Sequence, residues 1–376
     1  MSVEINEVKK DLVERVGQML QAEYSQNKEY NASLDELEPS EVLGVQRLKS
    51  SEILFWADRS AYYDGLEEWE TNHLFDIHEE AIDMLKGSDQ LPVFYDLIGA
   101  IKRSRIAPFI GAGMSLESEY PLWASALEIL VDRIDGVDKD AVRTCIASHE
   151  YLKAGQLLWN KDPEQVKNFI RTKFGGSPNR VAKGAIRLLP SFSHGCLITT
   201  NFDPVIEQVI GKGVLDGYMH GLQQGNKFVP KLIKGDRCIL KLHGDAEDHE
   251  TYVFTEQQYR KAYGDPVNFK KPLPRALRQI FVSHSLLFLG CSLEQDRTLE
   301  LFQIIVNKRE FEIPDHFAIL PEPDSADAKN QKATRLLPLK IRPIWYTANE
   351  HHLVERYLAL AVDMAEGKLT SFARTT

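Results

Sequence analysis

The chain has 376 residues, 43% of them hydrophobic and 27% charged, so it is long enough for two or three domains with a real core. Its formal net charge of −10 at pH 7 argues against broad affinity for nucleic acid, which needs a basic face. No apolar run approaches the roughly 18 residues that span a bilayer, and the N-terminus lacks the apolar segment of a signal peptide. We therefore expect a cytoplasmic protein that binds neither nucleic acid nor membrane directly.

Residues 1–95 have a helical pattern. Within them, apolar side chains repeat with the period of a helix at Leu12, Val13, Val16, Met19 and Leu20. An aromatic-rich stretch follows between residues 55 and 75, and it is typical either of a packing face between helices or of a surface for self-association. Because no catalytic signature lies here, we assign residues 1–95 to oligomerisation or regulation.

Residues 96–376 alternate short apolar runs with helical patterns. Continuous apolar runs are typical of parallel strands buried on both faces, and helices between them predict an α/β fold with a doubly wound, mostly parallel, Rossmann-like sheet. Residues 124–190 indicate a helical insert, 211–236 a further excursion and 321–332 a surface loop. The predicted strands are 106–110, 196–199, 238–242, 286–289, 316–320 and 341–346.

A glycine motif, Gly111-Ala112-Gly113 followed by Ser115, comes directly after the first predicted strand. Glycines let the backbone turn sharply and approach a phosphate closely, and a helix that begins there directs free N–H groups at an anion. Leu116 stands where a dinucleotide-binding fingerprint has its third glycine, and the lysine of a P-loop is absent. The motif therefore favours neither an ordinary dehydrogenase nor a P-loop NTPase.

Three more polar motifs follow later strands, each at the point where its strand ends. Because the carboxyl ends of parallel strands meet at one edge of the sheet, where ligands bind in open α/β folds, we expect these motifs to lie together. Singly each is weak, since Asn and Asp also favour turns and a lone His is most often structural. The three motifs are Thr199-Thr200-Asn201-Phe202-Asp203, Lys241-Leu242-His243-Gly244 and Gly290-Cys291-Ser292.

The four motifs, in this order, resemble those of the sirtuins. In that family the glycine motif is followed at a fixed spacing by Pro-x-aromatic, and here the segment is Pro121-Leu122-Trp123. The resemblance covers about residues 104–295 and does not extend to residues 1–95. It implies NAD⁺ as the ligand and a reaction at the bond between nicotinamide and ribose.

The resemblance also implies roles for individual residues. Asn201 would position a water or a hydroxyl beside the nicotinamide ribose, Asp203 would help to hold the carboxamide end, and His243 would be the general base. Trp123 would shield the reacting carbon, although a tryptophan here is also typical of core packing. The resemblance implies that the pyrophosphate is cradled by Gly111, Ala112, Gly113 and Ser115, and that Gly290 and Ser292 lie by the adenosine ribose and phosphates. Trp123 and Thr200 complete the implied NAD⁺-binding residues.

The sequence departs from the deacetylating sirtuins at the features that serve a protein substrate. Those enzymes build a zinc site from two Cys-x-x-Cys pairs, whereas here no two cysteines lie within 40 residues of each other, so we expect no metal and no zinc. Ala124 replaces the arginine that follows the aromatic residue, and Thr200 replaces a glutamine. These departures resemble the bacterial sirtuin-like domains that hydrolyse NAD⁺ to nicotinamide and ADP-ribose.

An NAD⁺ glycohydrolase is therefore the function that the resemblance favours, with NAD⁺ as its substrate. Two alternatives stay open, a non-catalytic module that binds NAD⁺ or ADP-ribose and a zinc-free protein deacylase or ADP-ribosyltransferase. The resemblance further implies a triggered, NAD-depleting effector of anti-phage defence. We accordingly expect a homo-oligomer and a separate partner subunit, either a translocase-like ATPase, a short argonaute or a phage-sensing protein.

Overall fold

The chain divides into two compact units, residues 1–79 with 368–376 and residues 80–367. The computed structural model describes residues 2–36, 49–211, 215–217, 228–294 and 297–372. Residues 80–95 belong to the second unit, and the assignment of residues 1–95 to oligomerisation or regulation stays a prediction.

The first unit is helical. Its core is aromatic, with Tyr30, Phe55 and Tyr62 buried together and the Tyr62 hydroxyl donating a hydrogen bond to Asn31 Oδ1 at 2.5 Å. Most of the aromatic-rich stretch is therefore a packing face between helices, while Trp56 is half exposed. The helices are α1 (Ser2–Gln26), α2 (Lys28–Asp35), α3 (Ser50–Ala57) and α4 (Arg59–Gly87), which continues into the second unit.

The second unit contains a seven-stranded sheet in the order β3-β4-β2-β1-β5-β6-β7. Every neighbouring pair is parallel, which confirms the predicted doubly wound α/β fold. All six predicted strands are present, each within one residue of its predicted ends. The strands are β1 (Ile106–Ile110), β2 (Cys196–Thr199), β3 (Leu215–Gly217), β4 (Cys238–Lys241), β5 (Ser285–Leu289), β6 (His316–Pro321) and β7 (Ile341–Tyr346).

Helices cover the sheet and fill the long connection between β1 and β2. No helix in the described part of the chain is both long and apolar enough to cross a membrane. The helices outside that connection are α5 (Leu91–Lys102), α11 (Val205–Ile210), α12 (Phe228–Lys234), α13 (Glu256–Tyr263), α14 (Pro272–Ser283), α15 (Arg297–Lys308), α16 (Ala326–Leu336) and α17 (His352–Ala365). Those within it are α6 (Trp123–Arg133), α7 (Lys139–Ala147), α8 (Tyr151–Lys161), α9 (Pro163–Phe174) and α10 (Leu189–Phe192).

Two local expectations are corrected by the structure. The excursion at residues 211–236 contains the strand β3, which pairs with β4. The sequence did not predict this strand, because three residues are too few to leave an apolar run. The surface loop expected at residues 321–332 is wrong from Ala326 onward, where α16 begins. Ser325 caps that helix by accepting a hydrogen bond from the Ala328 N–H at 3.2 Å.

The sheet changes direction beside β1. On one side of β1 the sheet continues with β2 and then β4, and on the other side the neighbour of β1 is β5. All residues of β1, β2, β4 and β5 are buried, so a ligand would contact segments beyond the strand ends and not the strands themselves. This is the topological switch point at which open α/β sheets bind ligands.

Candidate active site

The glycines that follow β1 and β5 pack directly against one another. The Gly111 N–H donates to the Leu289 carbonyl at 2.8 Å, and the Gly113 N–H donates to the Gly290 carbonyl at 3.0 Å. Gly290 has φ +65°, and a Cβ added there would lie 2.5 Å from the Met114 nitrogen. Glycine is thus required for the close approach of the two segments, and the pyrophosphate contact stays a prediction.

Asn201 joins the motif after β2 to the motif after β1. Its Nδ2 donates to the Gly111 carbonyl at 3.1 Å and to Ser115 Oγ at 3.0 Å, and the Ser115 hydroxyl donates in turn to Asp203 Oδ1 at 3.1 Å. Within the described part of the chain, the buried Oδ1 of Asn201 has no hydrogen-bond partner. A buried acceptor of this kind is suited to a water or a hydroxyl group.

Asp203 is a buried carboxyl group that titrates near neutral pH. Burial raises the pKa of Asp203 to about 6, and this rise is only partly opposed by the Val205 N–H, the Lys241 charge and the Ser115 hydroxyl. The Val205 N–H donates to Oδ1 at 3.2 Å. Asp203 can therefore change its charge close to physiological pH while staying in the same hydrogen-bond network.

His243 follows β4 and is 9% exposed. Its Nε2 lies 2.6 Å from the Tyr259 hydroxyl oxygen. The imidazole ring also contacts Trp123 edge to face, with ring centroids 5.7 Å apart. The structure thus brings together two predicted residues, His243 and Trp123, that are 120 positions apart in the sequence.

An aromatic wall, formed by Trp123, Phe174, Phe202 and Phe254, stands beside His243. Trp123 stacks on Phe254 at 5.7 Å and lies 5.5 Å from Phe202 and 6.3 Å from Phe174, measured between ring centroids. Trp123 therefore packs into a core and is also partly accessible. Its predicted shielding of a reacting carbon is compatible with this position and stays a prediction.

Lys241, the last residue of β4, ties the segments after β2 and β4 together. Its fully buried ammonium group donates to the carbonyls of Phe202 and Asp203 at 3.3 and 3.1 Å and pairs with Glu207 at 2.6 Å and Asp245 at 2.8 Å. Burial alone would lower the pKa of Lys241, but the two carboxylates outweigh burial and raise it. We did not predict this role, although a lysine ending an apolar strand was a visible signal.

The other predicted residues lie at the same edge of the sheet. The Thr200 N–H donates to the Ile110 carbonyl at 3.2 Å, and Ala112 opens a short 3-10 helix that ends at Ser115. Ser292 is exposed after β5. Their contacts with NAD⁺ stay predictions.

The cysteines are free thiols, and Cys145, Cys196 and Cys238 are buried. Cys196 and Cys238 are in-register partners on β2 and β4. Across the residues with described positions, no group of three or more His, Cys, Asp or Glu side chains could hold a metal ion.

Comparison with known proteins shows which family part of the chain is similar to. Residues 195–344 match the model of the SIR2-like domain, a range that includes Asn201, Asp203, His243 and Gly290 but not the glycine motif after β1. The chain is 22% identical to Defense-associated sirtuin 2 of Bacillus subtilis, over 72% of this chain and 26% of that protein.

Two further relatives are each named NAD(+) hydrolase ThsA. The protein from Enterococcus faecium is 26% identical over 51% of this chain and 38% of its own length, and that from Bacillus cereus is 25% identical over 52% and 39%. The chain thus spans between about a quarter and two-fifths of the length of these relatives. The motifs and the match over residues 195–344 agree in showing similarity to the SIR2-like domain.

Proposed function

We propose that this chain is an NAD⁺ glycohydrolase. It cleaves the bond between nicotinamide and C1′ of the adjoining ribose, and water supplies the new C1′–O bond. The products are nicotinamide, ADP-ribose and one proton. Nicotinamide on NAD⁺ is a cationic leaving group, and its departure leaves an oxocarbenium-like carbon, as in glycoside hydrolysis.

The observation that carries the proposal is the arrangement of Asn201 and His243. The unpartnered Oδ1 of Asn201 is a fixed acceptor for the attacking water or for a ribose hydroxyl. His243 is an imidazole held at the end of the neighbouring strand, and imidazole is the side chain that most often serves as a general base. The aromatic wall shields the reacting carbon from bulk water, and Asp203 holds the carboxamide end.

The position of the site supports NAD⁺ as the ligand. The glycines after β1 and β5 lie at the topological switch point, where dinucleotides bind in open α/β sheets. We propose that Gly111, Ala112, Gly113 and Ser115 receive the pyrophosphate, and that Thr200, Gly290 and Ser292 contact the remainder of the dinucleotide. Two relatives whose names state NAD⁺ hydrolysis support the same substrate.

The test is NAD⁺ consumption by the purified protein, with nicotinamide and ADP-ribose quantified. Asn201→Ala and His243→Ala are each expected to lower turnover by about 100-fold or more, the usual contribution of a positioned acid or base. Asn330→Ala and His194→Ala, which remove the same side-chain types from exposed positions, are the matched controls.

A contrary result is tight binding of NAD⁺ that remains intact, even in cells that carry the full operon and are challenged with phage. That outcome would favour the non-catalytic binding module. Product that forms only with an acylated or acceptor protein would instead favour the deacylase or ADP-ribosyltransferase.

We further propose that the activity serves anti-phage defence and is held off until triggered. The relative named Defense-associated sirtuin 2 supports the defence role, and the toxicity of NAD⁺ depletion requires restraint. We propose that residues 1–95 carry oligomerisation or regulation, and the exposed apolar side chains of α1, Leu12, Val13, Val16 and Met19, support self-association.

We also propose a separate partner subunit, either a translocase-like ATPase, a short argonaute or a phage-sensing protein. Light scattering of the purified protein, paired with its NAD⁺ turnover, tests the assembly. An active lone monomer would exclude both an obligatory oligomer and an obligatory partner.

A further inference from the structure

Tyr259 contacts the proposed base directly, although no sequence motif assigned it a role. Its hydroxyl oxygen lies 2.6 Å from His243 Nε2, and the two rings meet edge to face with centroids 5.5 Å apart. Tyr259 is 5% exposed. A hydrogen bond this short in a buried position is strong, because water does not compete for either group.

The fold fixes the Tyr259 hydroxyl in place. Tyr259 lies in the first turns of α13, whose start is set by a capping box. Thr255 Oγ1 accepts from the Gln258 N–H at 3.2 Å, and Gln258 Oε1 accepts from the Thr255 N–H at 3.0 Å. The Tyr259 ring stacks on Tyr263 with centroids 4.9 Å apart and planes 6° from parallel. The hydroxyl is thus presented to His243 by a capped helix.

A hydroxyl held on one imidazole nitrogen has two chemical consequences. It limits rotation of the ring, so the other nitrogen points in one direction. It also bears on the tautomer, because the neutral ring can accept a proton at Nδ1 only when its Nε2–H donates to the Tyr259 oxygen. Both properties decide whether a histidine can accept a proton from a bound substrate.

We propose that Tyr259 is a positioning residue that fixes the ring orientation and the tautomer of His243, an inference that rests on the proposed NAD⁺ glycohydrolase function. Tyr259 acts through His243 and does not touch the substrate. Its loss therefore impairs the chemical step and leaves the binding of NAD⁺ largely intact.

The experiment compares Tyr259→Phe with the wild type by two readouts. The first is the pKa and tautomer of the His243 imidazole, measured on ¹⁵N-histidine-labelled protein with the resonance assigned by its loss in His243→Ala. We expect the imidazole pKa to move by about half a unit or more and the tautomer to change. The second is kinetics, in which kcat falls about 10-fold or more and KM changes less than about threefold.

Tyr252→Phe is the matched control, because the Tyr252 hydroxyl is also buried and donates at 2.6 Å to the Ala246 carbonyl. It is expected to leave the His243 resonance where it is in the wild type. Should Tyr259→Phe fail to fold, replacing Tyr259 by 3,5-difluorotyrosine keeps the ring and changes the acidity of the hydroxyl, so the His243 pKa must still move.

An unchanged His243 pKa and tautomer in the Tyr259 variants would overturn the proposal, whether or not the protein turns over NAD⁺. A wild-type protein that never cleaves NAD⁺ would count against the proposed function instead. The spectroscopic readout separates these two failures, because it needs no turnover.

Discussion

At the scale of single residues, the candidate site contains a buried carboxyl group, Asp203, whose ionised form is disfavoured by burial. Burial raises the pKa of Asp203 to about 6, against an ordinary value near 3.8. In the unfolded chain this carboxyl is ionised above pH 4, whereas in the folded protein it ionises only above about pH 6. The contribution of Asp203 to stability is therefore complete below pH 4 and is lost as the pH rises through 6.

Asp203→Asn is accordingly expected to stabilise the fold at pH 8, by up to about 3 kcal/mol if the amide keeps the hydrogen bonds. At pH 5 the gain should be smaller by about 1 kcal/mol. Urea unfolding at the two pH values measures both, with the exposed Asp324→Asn as control. An equal gain at both pH values would mean that Asp203 does not titrate between them.

Lys241 differs from Asp203, because its buried charge is stabilised by two carboxylates. Lys241→Met would leave Glu207 and Asp245 without their cation and two backbone carbonyls without their donor. Removing one partner of a buried ion pair destabilises a protein by roughly 3–5 kcal/mol. Lys153→Met, which breaks an exposed pair with Glu150 at 3.2 Å, should lower the free energy of unfolding far less, because solvent screens the pair. Similar losses in the two variants would contradict the bridging role of Lys241.

The sequence predicts the site residues that belong to motifs and misses those that act through them. Asn201, Asp203 and His243 were predicted because the motifs that contain them resemble those of the sirtuins, and their roles stay predictions. Tyr259 was given no role from the sequence, and only the folded chain brings its hydroxyl to His243. Such a contact depends on where α13 packs in the folded protein, and this position cannot be predicted from the local sequence.

At the scale of elements, the close packing of the segments after β1 and β5 depends on glycine, as Gly290 shows. Gly290→Ala would combine a left-handed backbone, φ +65°, with a clash between the new methyl group and the segment at Gly113 and Met114. Left-handed backbone at a residue with a Cβ costs about 1–2 kcal/mol, and overpacking adds about 1–3 kcal/mol.

Gly235→Ala separates the two effects, because Gly235 has φ +75° and nothing within 4 Å of its added Cβ. Thermal or urea unfolding should show Gly290→Ala to be the more destabilised of the two, and its affinity for NAD⁺, measured by calorimetry, should also fall. If the two variants lost the same stability, close packing between the segments after β1 and β5 would not be what requires the glycine.

The central strands were predictable because each is buried on both faces and reads as an unbroken apolar run. The edge strand β3 has only three residues, Leu215–Gly217, and gives no such signal. The helix α16 was missed because its sequence is polar, and its start depends on the Ser325 cap and not on an apolar stripe. A strand is therefore predictable from the sequence when it leaves an unbroken apolar run, and a very short strand or a polar helix is not.

At the scale of the whole molecule, charge is distributed unevenly along the chain. Residues 1–79 contain 18 acidic and 7 basic side chains, so this segment accounts for the net charge of −10 and the remainder is nearly neutral. The argument from net charge against nucleic-acid binding thus applies most strongly to the first unit. The second unit, which holds the candidate site, can accept the anionic NAD⁺ without an opposing net charge.

The response of the second unit to acid should be governed in part by His316 in β6. This side chain is fully buried between the flanking strands, its Nδ1 accepts from the Leu286 N–H at 3.0 Å, and its ring packs on Phe281. Burial lowers the pKa of His316 to about 3. As the pH falls below about 6.5, His316 binds a proton in the unfolded chain but not in the folded protein. The free energy of unfolding therefore decreases progressively from pH 6.5 down to pH 3.

His316→Gln replaces the titrating ring by a neutral side chain that still offers an acceptor. The wild type is expected to lose about 2–3 kcal/mol more than this variant between pH 7 and pH 4.5, even if the variant is the less stable of the two at pH 7 because its packing is poorer. Urea unfolding across this range measures the difference, and the exposed His194→Gln should follow the wild type. Parallel curves for the wild type and His316→Gln would show that the acid sensitivity arises elsewhere. Because β6 lies between β5 and β7 in one parallel sheet, protonation of His316 would destabilise the same sheet whose strands β1, β2, β4 and β5 lead into the candidate site.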